Sequence, residues 1–473
     1  MEESAIYLGV DVGTQGVRGI VYGRNQVMAR AHHPLHTHTP QSGWAVQSLD
    51  EIWNAFATVV RKLAAWSSQN GYAVRAIGLD ATSSIVIVDD MGLPKTDVLL
   101  WMDIRASAEA RALSSLTGTE ESPELPWAKA LWLEGHDPDL FCSKAHHLVE
   151  IADWVTWRLT GEWTRTESSA ILKWHGKPPT FLPNWAHRFD RIIDVLPARV
   201  VGVGKAAGIV RPAVCGELGL PSGYEIDVAA SMIDAYAGAI GAGAVYEGDM
   251  ALILGSSSCQ LFHGSGLVPT VGLWGPFRDP YHNGIDVLEA GQPSTGSVVR
   301  WVENLANGTP LETLESGARA IDPGSDGVKV HPAFQGIRSP WPNGEVRGSI
   351  SGLSLHHNIV HILRAVYEGT AVDILRVISE VHSVEVKRII ALGGGTQSQL
   401  WLQIIADVCA MALEVADADA VTRGAAMLAE RAVGRDNVDG FITWPSINPS
   451  DNVHAYSRIY EQYVKEFPTY RPN

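Results

Sequence analysis

The sequence predicts an α/β protein made of two related halves. An apolar run at Ile6–Val10 is followed by small and polar residues and then by a second apolar run at Val17–Tyr22, which is the pattern of a β-hairpin. The same order returns after the midpoint of the chain, where Met250–Leu254 precedes a polar turn and the strand-like segment Cys259–Phe262. Helical patterns lie between the strands, and this alternation is typical of the α/β class.

Helices are predicted where apolar residues recur every three to four positions. The clearest pattern runs from His147 to Leu159, and Gly161 follows it as a stop signal. The segment Ser231–Val245 is rich in Ala and Gly, which predicts a tightly packed helix. Further along the chain, we expect a strand at Arg388–Leu392 and a helix at Gln399–Met411.

The length of 473 residues exceeds what one ordinary hydrophobic core holds, so two or three domains are expected. We predict two, with a boundary near Ala244. The N-terminal domain then covers residues 1–244, and the C-terminal domain covers residues 245–473.

Composition restricts the partners and the compartment. The chain has 36 basic and 52 acidic residues and a net charge of −16, which disfavours binding to nucleic acids and to anionic membranes. The N-terminus lacks a signal-peptide pattern, and no apolar run reaches membrane-spanning length. The four cysteines are far apart and match neither a metal site nor a disulfide framework. We therefore expect a cytoplasmic protein without nucleic-acid or membrane partners.

The first hairpin carries residues suited to phosphate and Mg²⁺. Its turn region contains Asp11, Gly13, Thr14 and Gly16, which provide a carboxylate, a hydroxyl and accessible backbone N–H groups. The second hairpin has the donor-rich turn Gly255–Ser258, so two such turns could grip one triphosphate across a cleft. The alternative is an ordinary hairpin in which Asp11 accepts hydrogen bonds from turn amides.

A third glycine-rich segment, Gly393–Gly395, stands between the predicted strand and helix of the C-terminal half. Glycines there let a flat ligand approach the backbone closely. The segment lacks the third glycine of the dinucleotide-binding GxGxxG motif, and the GxxxxGK[ST] motif is absent from the chain. The alternative role is a tight turn between strand and helix.

Asp234 is the candidate general base. It lies at the predicted start of the helix rich in Ala and Gly, where a carboxylate can point into a cleft and accept a proton from an attacking hydroxyl. An Asp at such a junction more commonly caps the helix, so both roles stay open at this point.

These residues and their order resemble the FGGY carbohydrate kinase family over nearly the whole chain. Asp11, the segment Trp101–Arg105, Asp234 and the loop at Gly393 occur in the family's order. The most specific match is the family's C-terminal signature, which fits at Gly348, Ile350, Gly352, Leu353, His361, Ile362, Ala365, Tyr367 and Glu368. The resemblance implies two ribonuclease H-like domains of the actin and hexokinase type, with sugar and ATP meeting in a closing interdomain cleft.

The resemblance also implies residue roles and cofactors. ATP and Mg²⁺ are the expected cofactors, a small sugar or polyol is the expected substrate, and a homodimer is one assembly left open. The implied roles are Asp11 for Mg²⁺, Thr14, Gln15, Gly255 and Ser256 for phosphate, Gly394, Gly395 and Gln399 beside adenosine, Ser83, Trp101 and Asp103 for the sugar, and Asp234 as base. The alternative for the sugar residues is structural, with Trp101 in the core and Asp103 paired only with Arg105.

Within the family, the chain resembles the ribulokinase branch. The similarity lies in Lys173-Trp174, Gly255–Cys259, Glu289–Gln292 and His331–Pro340, although Gln260 and Gln335 depart from the branch pattern. D-ribulose is therefore the expected substrate, with L-ribulose, ribitol, xylulose and a tetritol as alternatives. A function of another class, an actin-like ATPase without a sugar substrate, also stays open.

Overall fold

The computed structural model describes residues 5–118, 121–281, 284–435 and 442–467. Contacts within the chain cluster into two compact units. The first contains the described parts of 1–241 and 419–441, and the second contains those of 242–418 and 442–473. Strands and helices alternate through both units, which confirms the α/β class.

The bounds of the elements are as follows. The strands are β1 (Ala5–Gly13), β2 (Gly16–Gly23), β3 (Gln26–Pro34), β4 (Val46–Gln47), β5 (Ala73–Ala81), β6 (Ile85–Asp89), β7 (Val98–Leu99), β8 (His146–Glu150), β9 (Arg165–Thr166), β10 (Val200–Val201), β11 (Ala206–Ile209), β12 (Asp227–Ala229), β13 (Met232–Ile233), β14 (Asp249–Leu254), β15 (Ser258–Gly264), β16 (Trp274–Arg278), β17 (Asp286–Gln292), β18 (Lys329–His331), β19 (Ser349–Ser351), β20 (Arg388–Leu392), β21 (Leu413–Val415) and β22 (Ser446–Ile447). The α-helices are α1 (Leu49–Gln69), α2 (Ser107–Thr117), α3 (Pro126–His136), α4 (Ile151–Thr160), α5 (Glu167–Leu172), α6 (Asp190–Asp194), α7 (Pro212–Leu218), α8 (Asp234–Ala242), α9 (Gly296–Leu305), α10 (Leu311–Arg319), α11 (Ile359–Glu380), α12 (Gln399–Cys409), α13 (Ala420–Ala432) and α14 (Val453–Glu466).

The main sheet of the first unit has the order β11-β12-β5-β1-β2-β3, and β13 also pairs with β5. Strands β1, β2 and β3 form an antiparallel meander, whereas β5 is parallel to β1, β12 and β13. The predicted first hairpin is therefore confirmed, with its turn at Thr14 and Gln15.

Helices cover both faces of this sheet. Alternate residues of β1 point to opposite faces, so that Ile6 and Leu8 join the core beneath α1 while Tyr7 packs against Ala429 of α13. Helix α13 approaches the sheet closely. A Cβ atom at Gly78 would lie 1.8 Å from the carbonyl oxygen of Ala425, so only glycine fits there.

The packing of α13 changes the expected division of the chain. A single boundary near Ala244 places residues 419–441 in the C-terminal domain, but α13 packs on β1 and β5, and these residues cluster with the first unit. Helix α13 belongs to the first unit because it packs closely against strand glycines that are distant in sequence. The hydrophobic pattern of the helix alone does not indicate this contact.

The main sheet of the second unit has the order β16-β17-β15-β14-β20-β21-β22. Strand β15 pairs antiparallel with both β14 and β17. Strand β20 pairs parallel with both β14 and β21. This repeats the arrangement of β1, β2, β3, β5 and β12 in the first unit, as expected for two related halves. The core beside this sheet is built on the long helix α11, which packs against α9, α10 and α12.

Two predicted helices have different bounds in the structure. The first four residues of the pattern at His147–Leu159 belong to strand β8, because Val149 pairs with Val86 in an antiparallel ladder. The helix itself starts at Ile151, and Gly161 ends it with φ 84°, as predicted. The segment Ser231–Val245 forms the short strand β13 followed by α8. Within the described parts of the chain, no helix is both long and apolar enough to cross a membrane.

Candidate active site

Three aspartates of the first unit lie at the ends of neighbouring elements. Asp11 on β1 and Asp80 on β5 are register partners in a parallel pair, and Met232 of β13 is the partner of Asp80 on its other side. Asp234 follows β13 directly and is the first residue of α8. Because parallel strands end at the same edge of a sheet, these elements bring the three carboxyl groups into one cluster.

Arg18 forms an ion pair with Asp11. It lies opposite Asp11 across the hairpin, and its Nη2 is 2.6 Å from Asp11 Oδ2. The Asp11 carboxylate raises the pKa of the Arg18 guanidinium. Asp11 is buried, whereas the Arg18 side chain is 55% exposed, so this cation has access to solvent and to a ligand. Sequence reasoning missed Arg18, although its position opposite Asp11 follows from a two-residue turn.

Asp80 is the second residue that sequence reasoning missed. Its side chain is fully buried, and among the described residues no N–H or hydroxyl group donates to either carboxyl oxygen, whereas the carboxyl group of Asp11 lies within side-chain hydrogen-bonding range. Burial, followed by the charges of Asp11 and Asp234, raises the pKa of Asp80 well above its usual value. The ionised form of Asp80 is therefore disfavoured next to Asp11 and Asp234.

Asp234, the predicted base, belongs to this cluster. Its Oδ1 accepts a hydrogen bond of 2.8 Å from the backbone N–H of Ala235. Desolvation, and then the charge of Asp11, raise the pKa of Asp234 to about 6, against the opposing influence of Lys173 and Arg18. A carboxylate with a pKa near neutral pH combines ionisation with basicity, as general base catalysis requires.

The turn with Thr14 and Gln15 is braced from several sides. The indole Nε1 of Trp101 donates to Thr14 Oγ1 over 3.1 Å, and Gln47 Nε2 donates to the Thr14 carbonyl over 2.7 Å. The backbone N–H of Leu35 donates to the Gln15 carbonyl over 3.1 Å. A residue predicted for phosphate and one predicted for sugar are thus in direct contact.

Asp103, predicted to bind sugar, is fully engaged within the protein. It is buried and accepts hydrogen bonds from Arg105 Nε at 2.9 Å, from Arg105 Nη2 at 2.7 Å and from the Ala45 backbone N–H at 2.7 Å. The guanidinium of Arg105 lies over the Trp44 ring, 3.6 Å from its centroid. This geometry favours the alternative in which Asp103 pairs with Arg105.

Lys129 fixes the segment that carries Trp101. Its buried Nζ donates to the carbonyl oxygens of Leu100, Trp101 and Glu124 at 2.6, 3.0 and 2.9 Å. Desolvation lowers the pKa of Lys129 to about 8. The position of Trp101 is therefore held by a buried donor on a neighbouring helix.

The hydroxyl of Ser83, also predicted to bind sugar, is buried beside the carboxyl group of Glu150. Glu150 accepts hydrogen bonds from Ser169 and, at 2.9 Å, from Trp174 Nε1. Burial raises the pKa of Glu150. Sequence reasoning missed Glu150, because its partners come from segments that are distant in sequence.

In the second unit, the turn after β14 holds Gly255 and Ser256. Ser256 accepts backbone hydrogen bonds from Thr295 at 3.0 Å and Ser297 at 2.9 Å, which tie the turn to the start of α9. A Cβ atom at Gly296 would lie 2.4 Å from the Gly255 carbonyl oxygen, so this close approach needs glycine. The predicted second hairpin is confirmed, with β14 and β15 as its strands.

The other glycine loop of this unit joins β20 to α12. Gly393 has φ 97°, which favours glycine, whereas a Cβ atom at Gly394 would meet no atom within 4 Å. Gly395 packs tightly, since its Cβ would lie 2.8 Å from Leu254 Cβ. Gln399 is exposed at the first position of α12. The loop is thus both a tight turn and, at Gly394, an open backbone surface.

The carboxylates of the first unit fit Mg²⁺ in donor type, because this cation prefers carboxylate and water oxygens. Asp80 supplies buried oxygens to which no N–H or hydroxyl group of the described residues donates, and Asp11 adds a neighbouring carboxylate. The open backbone surface at Gly394 is suited to the close approach of a flat nucleoside.

Two family models match the chain. The N-terminal domain of the FGGY family of carbohydrate kinases matches residues 6–241, and the C-terminal domain of that family matches residues 250–433. An FGGY carbohydrate kinase domain-containing protein of Danio rerio is 29% identical over 415 residues, covering 75% of each chain. A ribulokinase of Anoxybacillus flavithermus is 26% identical and covers 97% of this chain and 93% of its own.

A solved structure has the same fold. It is named as a xyloylose kinase from Brucella ovis, and it superposes with a TM-score of 0.85 at 25% identity, covering 98% of this chain and 99% of the other. The topology of the two units, the clustered aspartates and the two family matches agree with one another. The chain belongs to the FGGY family of carbohydrate kinases, which are phosphotransferases with an alcohol group as acceptor.

Proposed function

We propose that the protein transfers the γ-phosphoryl group of ATP to a hydroxyl group of a pentulose, with D-ribulose as the preferred substrate. The observation that carries the proposal is the position and the raised pKa of Asp234 within the aspartate cluster. The choice of D-ribulose is supported by the segments Lys173-Trp174 and His331–Pro340, which resemble ribulokinases, and by the ribulokinase relative. L-ribulose, ribitol, xylulose and a tetritol are the alternatives.

Asp234 acts as the general base in this proposal. With a pKa of about 6, it is mostly ionised at neutral pH and accepts the proton of the attacking hydroxyl. The sugar oxygen forms a bond to the γ-phosphorus as the bond between that phosphorus and the bridging oxygen of ADP breaks. The products are the sugar phosphate and ADP, and the transferred proton resides on Asp234.

The phosphate side of the site uses the first hairpin. Asp11 would hold Mg²⁺, which neutralises phosphate charge when bound. The hydroxyl of Thr14 and the turn amides around Gln15 donate to phosphate oxygens. Arg18 adds a solvent-accessible cation beside Asp11, where it can meet the negative charge of the transferred group. In the second unit, Gly255 and Ser256 would bind phosphate.

The nucleoside and sugar sites complete the proposal. Gly394, Gly395 and Gln399 form the surface for adenosine, with the open backbone at Gly394 as its centre. The Ser83 hydroxyl and the Trp101 ring contact the sugar. We assign Asp103 to a structural ion pair, because Arg105 and the Ala45 backbone N–H occupy its carboxylate. A homodimer and a cytoplasmic location remain predictions.

A panel of substrates tests the function. ADP release is measured from MgATP with D-ribulose, L-ribulose, D-xylulose, ribitol and erythritol, each against a control without sugar. We expect stimulation by D-ribulose with the highest kcat/KM in the panel. A different best substrate overturns the choice of sugar. ATP turnover that ignores every polyol indicates an actin-like ATPase instead.

A further inference from the structure

Asp80 has an environment that a purely structural carboxylate does not have. Other buried aspartates of this chain are satisfied by the protein: Asp153 accepts from the Thr166 backbone N–H at 2.9 Å, and Asp249 accepts from two backbone N–H groups at 3.0 Å. Asp80 is equally buried, yet among the described residues no N–H or hydroxyl group donates to either of its oxygens, and its hydrogen-bonding neighbour is the carboxyl group of Asp11. Such a group is costly unless a ligand completes it.

The charges around Asp80 indicate what kind of ligand completes it. Asp11, Asp80 and Asp234 interact electrostatically, and Arg18 is the cation paired with Asp11. Three carboxylates against the Arg18 guanidinium and the Lys173 ammonium, which also acts on Asp234, leave a net negative charge when all are ionised. A divalent cation is opposite in charge to this excess, and carboxylate oxygens are among its preferred ligands.

The location of Asp80 indicates which other side chain would bind the same cation. Its register partner on the adjacent parallel strand is Asp11, so the two carboxyl groups project from the same level of the sheet. Arg18 occupies Asp11 Oδ2 from one side of the hairpin. The oxygens of Asp80, by contrast, accept from no N–H or hydroxyl donor among the described residues, and they face the Asp11 carboxyl group closely enough for a side-chain hydrogen bond.

We propose that Asp80 is, together with Asp11, part of the ligand set that holds the divalent cation of the phosphoryl transfer. The proposal rests on the proposed function for the role of that cation, but the binding itself can be measured without any sugar. Asp80 thereby becomes a second anchor for the cation on the central strand β5. Asp234 then keeps its carboxylate for the proton of the substrate.

Direct cation binding tests the proposal. Mn²⁺ is the probe, and the free Mn²⁺ signal is followed by electron paramagnetic resonance as the full-length protein is titrated, with and without ADP. We expect Asp80→Asn to weaken Mn²⁺ binding at least about tenfold. The control is Asp227→Asn, which removes a carboxylate from β12 of the same sheet away from the cluster. This control should bind Mn²⁺ like the wild type.

Thermal unfolding provides the second readout. Without metal, Asp80→Asn should not lower the melting temperature, because it removes a buried carboxyl group whose ionised form is disfavoured by burial and by Asp11 and Asp234. Saturating Mn²⁺ should raise the melting temperature of the wild type and of Asp227→Asn, and should raise that of Asp80→Asn much less. If Asp80→Asn does not fold, Asp80→Ser is measured in the same way.

The outcomes separate this proposal from the proposed function. Mn²⁺ binding by Asp80→Asn within twofold of the wild type overturns the role of Asp80, even if the wild type phosphorylates D-ribulose. Loss of Mn²⁺ binding in Asp80→Asn supports it, even if no pentulose in the panel is phosphorylated. Equal losses in Asp80→Asn and Asp227→Asn also overturn it, since they show a general charge effect.

Discussion

The indole N–H of Trp101 donates to the hydroxyl of Thr14 over 3.1 Å, so the segment predicted for sugar holds a residue predicted for phosphate. Both residues lie in the first unit. Lys129 fixes the backbone at Trp101 by donating hydrogen bonds to the carbonyl oxygens of Leu100 and Trp101. A substitution at Trp101 should therefore affect the kinetics with both ATP and the sugar.

Trp101→Phe tests this coupling. Phenylalanine keeps an aromatic face for the sugar but cannot donate to Thr14, so the Thr14 hydroxyl loses its orientation. We expect kcat/KM for ATP to fall by about two- to tenfold, the worth of one hydrogen bond. The measurement is steady-state kinetics in which each substrate is varied in turn, giving kcat/KM for ATP and for the sugar. Trp66→Phe, which changes a partly buried indole stacked on Tyr72, should leave both kcat/KM values unchanged.

Asp103→Ala separates a sugar ligand from a structural ion pair. The substitution leaves the buried Arg105 guanidinium without its partner, and breaking such a pair costs about 3–5 kcal/mol. We therefore expect a large loss in the free energy of unfolding in urea. An unchanged unfolding curve combined with a raised KM for sugar alone would instead assign Asp103 to direct sugar contact.

Gly78→Ala tests the packing of α13 on the first sheet. The added methyl group would lie 1.8 Å from the Ala425 carbonyl oxygen, and backbone cannot move away cheaply. We expect the free energy of unfolding to fall by at least about 2 kcal/mol. Gly216→Ala is the matched control, since it lies within α7 with no atom within 4 Å of the new methyl group. That substitution should stabilise slightly, because alanine favours helix.

The parts of the fold that were predictable have local causes. Strand β20 has its predicted bounds, Arg388–Leu392, because an apolar run ends at a glycine-rich turn. The hairpin turns were predictable for the same reason. Strand β8 was not, since His147–Glu150 continues a helical pattern and becomes a strand only by pairing with β6.

The residues of the candidate site likewise include some that could be predicted from the sequence and some that could not. Asp11, Thr14 and Asp234 stand at turns or helix starts that a sequence displays, so they could be chosen in advance. Asp80 lies near the end of the apolar strand β5 without a glycine turn directly after it, and nothing in its neighbours along the chain reveals its interactions with Asp11 and Asp234. Likewise, the motif at Trp101 allows Asp103 either to contact sugar or to pair with Arg105, and the sequence does not decide between the two. Long-range packing decides these cases.

Asp234→Asn tests the catalytic base. The variant keeps the shape and the acceptor oxygen that binds the Ala235 N–H, but it cannot accept a proton from the sugar. We expect turnover to fall by at least about two orders of magnitude while sugar and ATP binding stay near the wild-type values. Turnover and binding are measured on the same preparation. Asp50→Asn, at the exposed start of α1, is a control for loss of a helix-start carboxylate and should not change turnover.

The pH dependence of activity and of stability also tests Asp234 as the general base. Because the pKa of Asp234 is about 6, wild-type kcat/KM should fall as pH drops through about 6, where the base becomes protonated. The folded state holds this proton more tightly than the unfolded chain does, so the stability gained from the protonated residue is lost as pH rises through about 6. Asparagine does not ionise, and the melting temperature of Asp234→Asn should therefore equal or exceed that of the wild type at pH 8, with a smaller difference at pH 5. An Asp234→Asn variant that keeps its turnover would show that another group takes the proton.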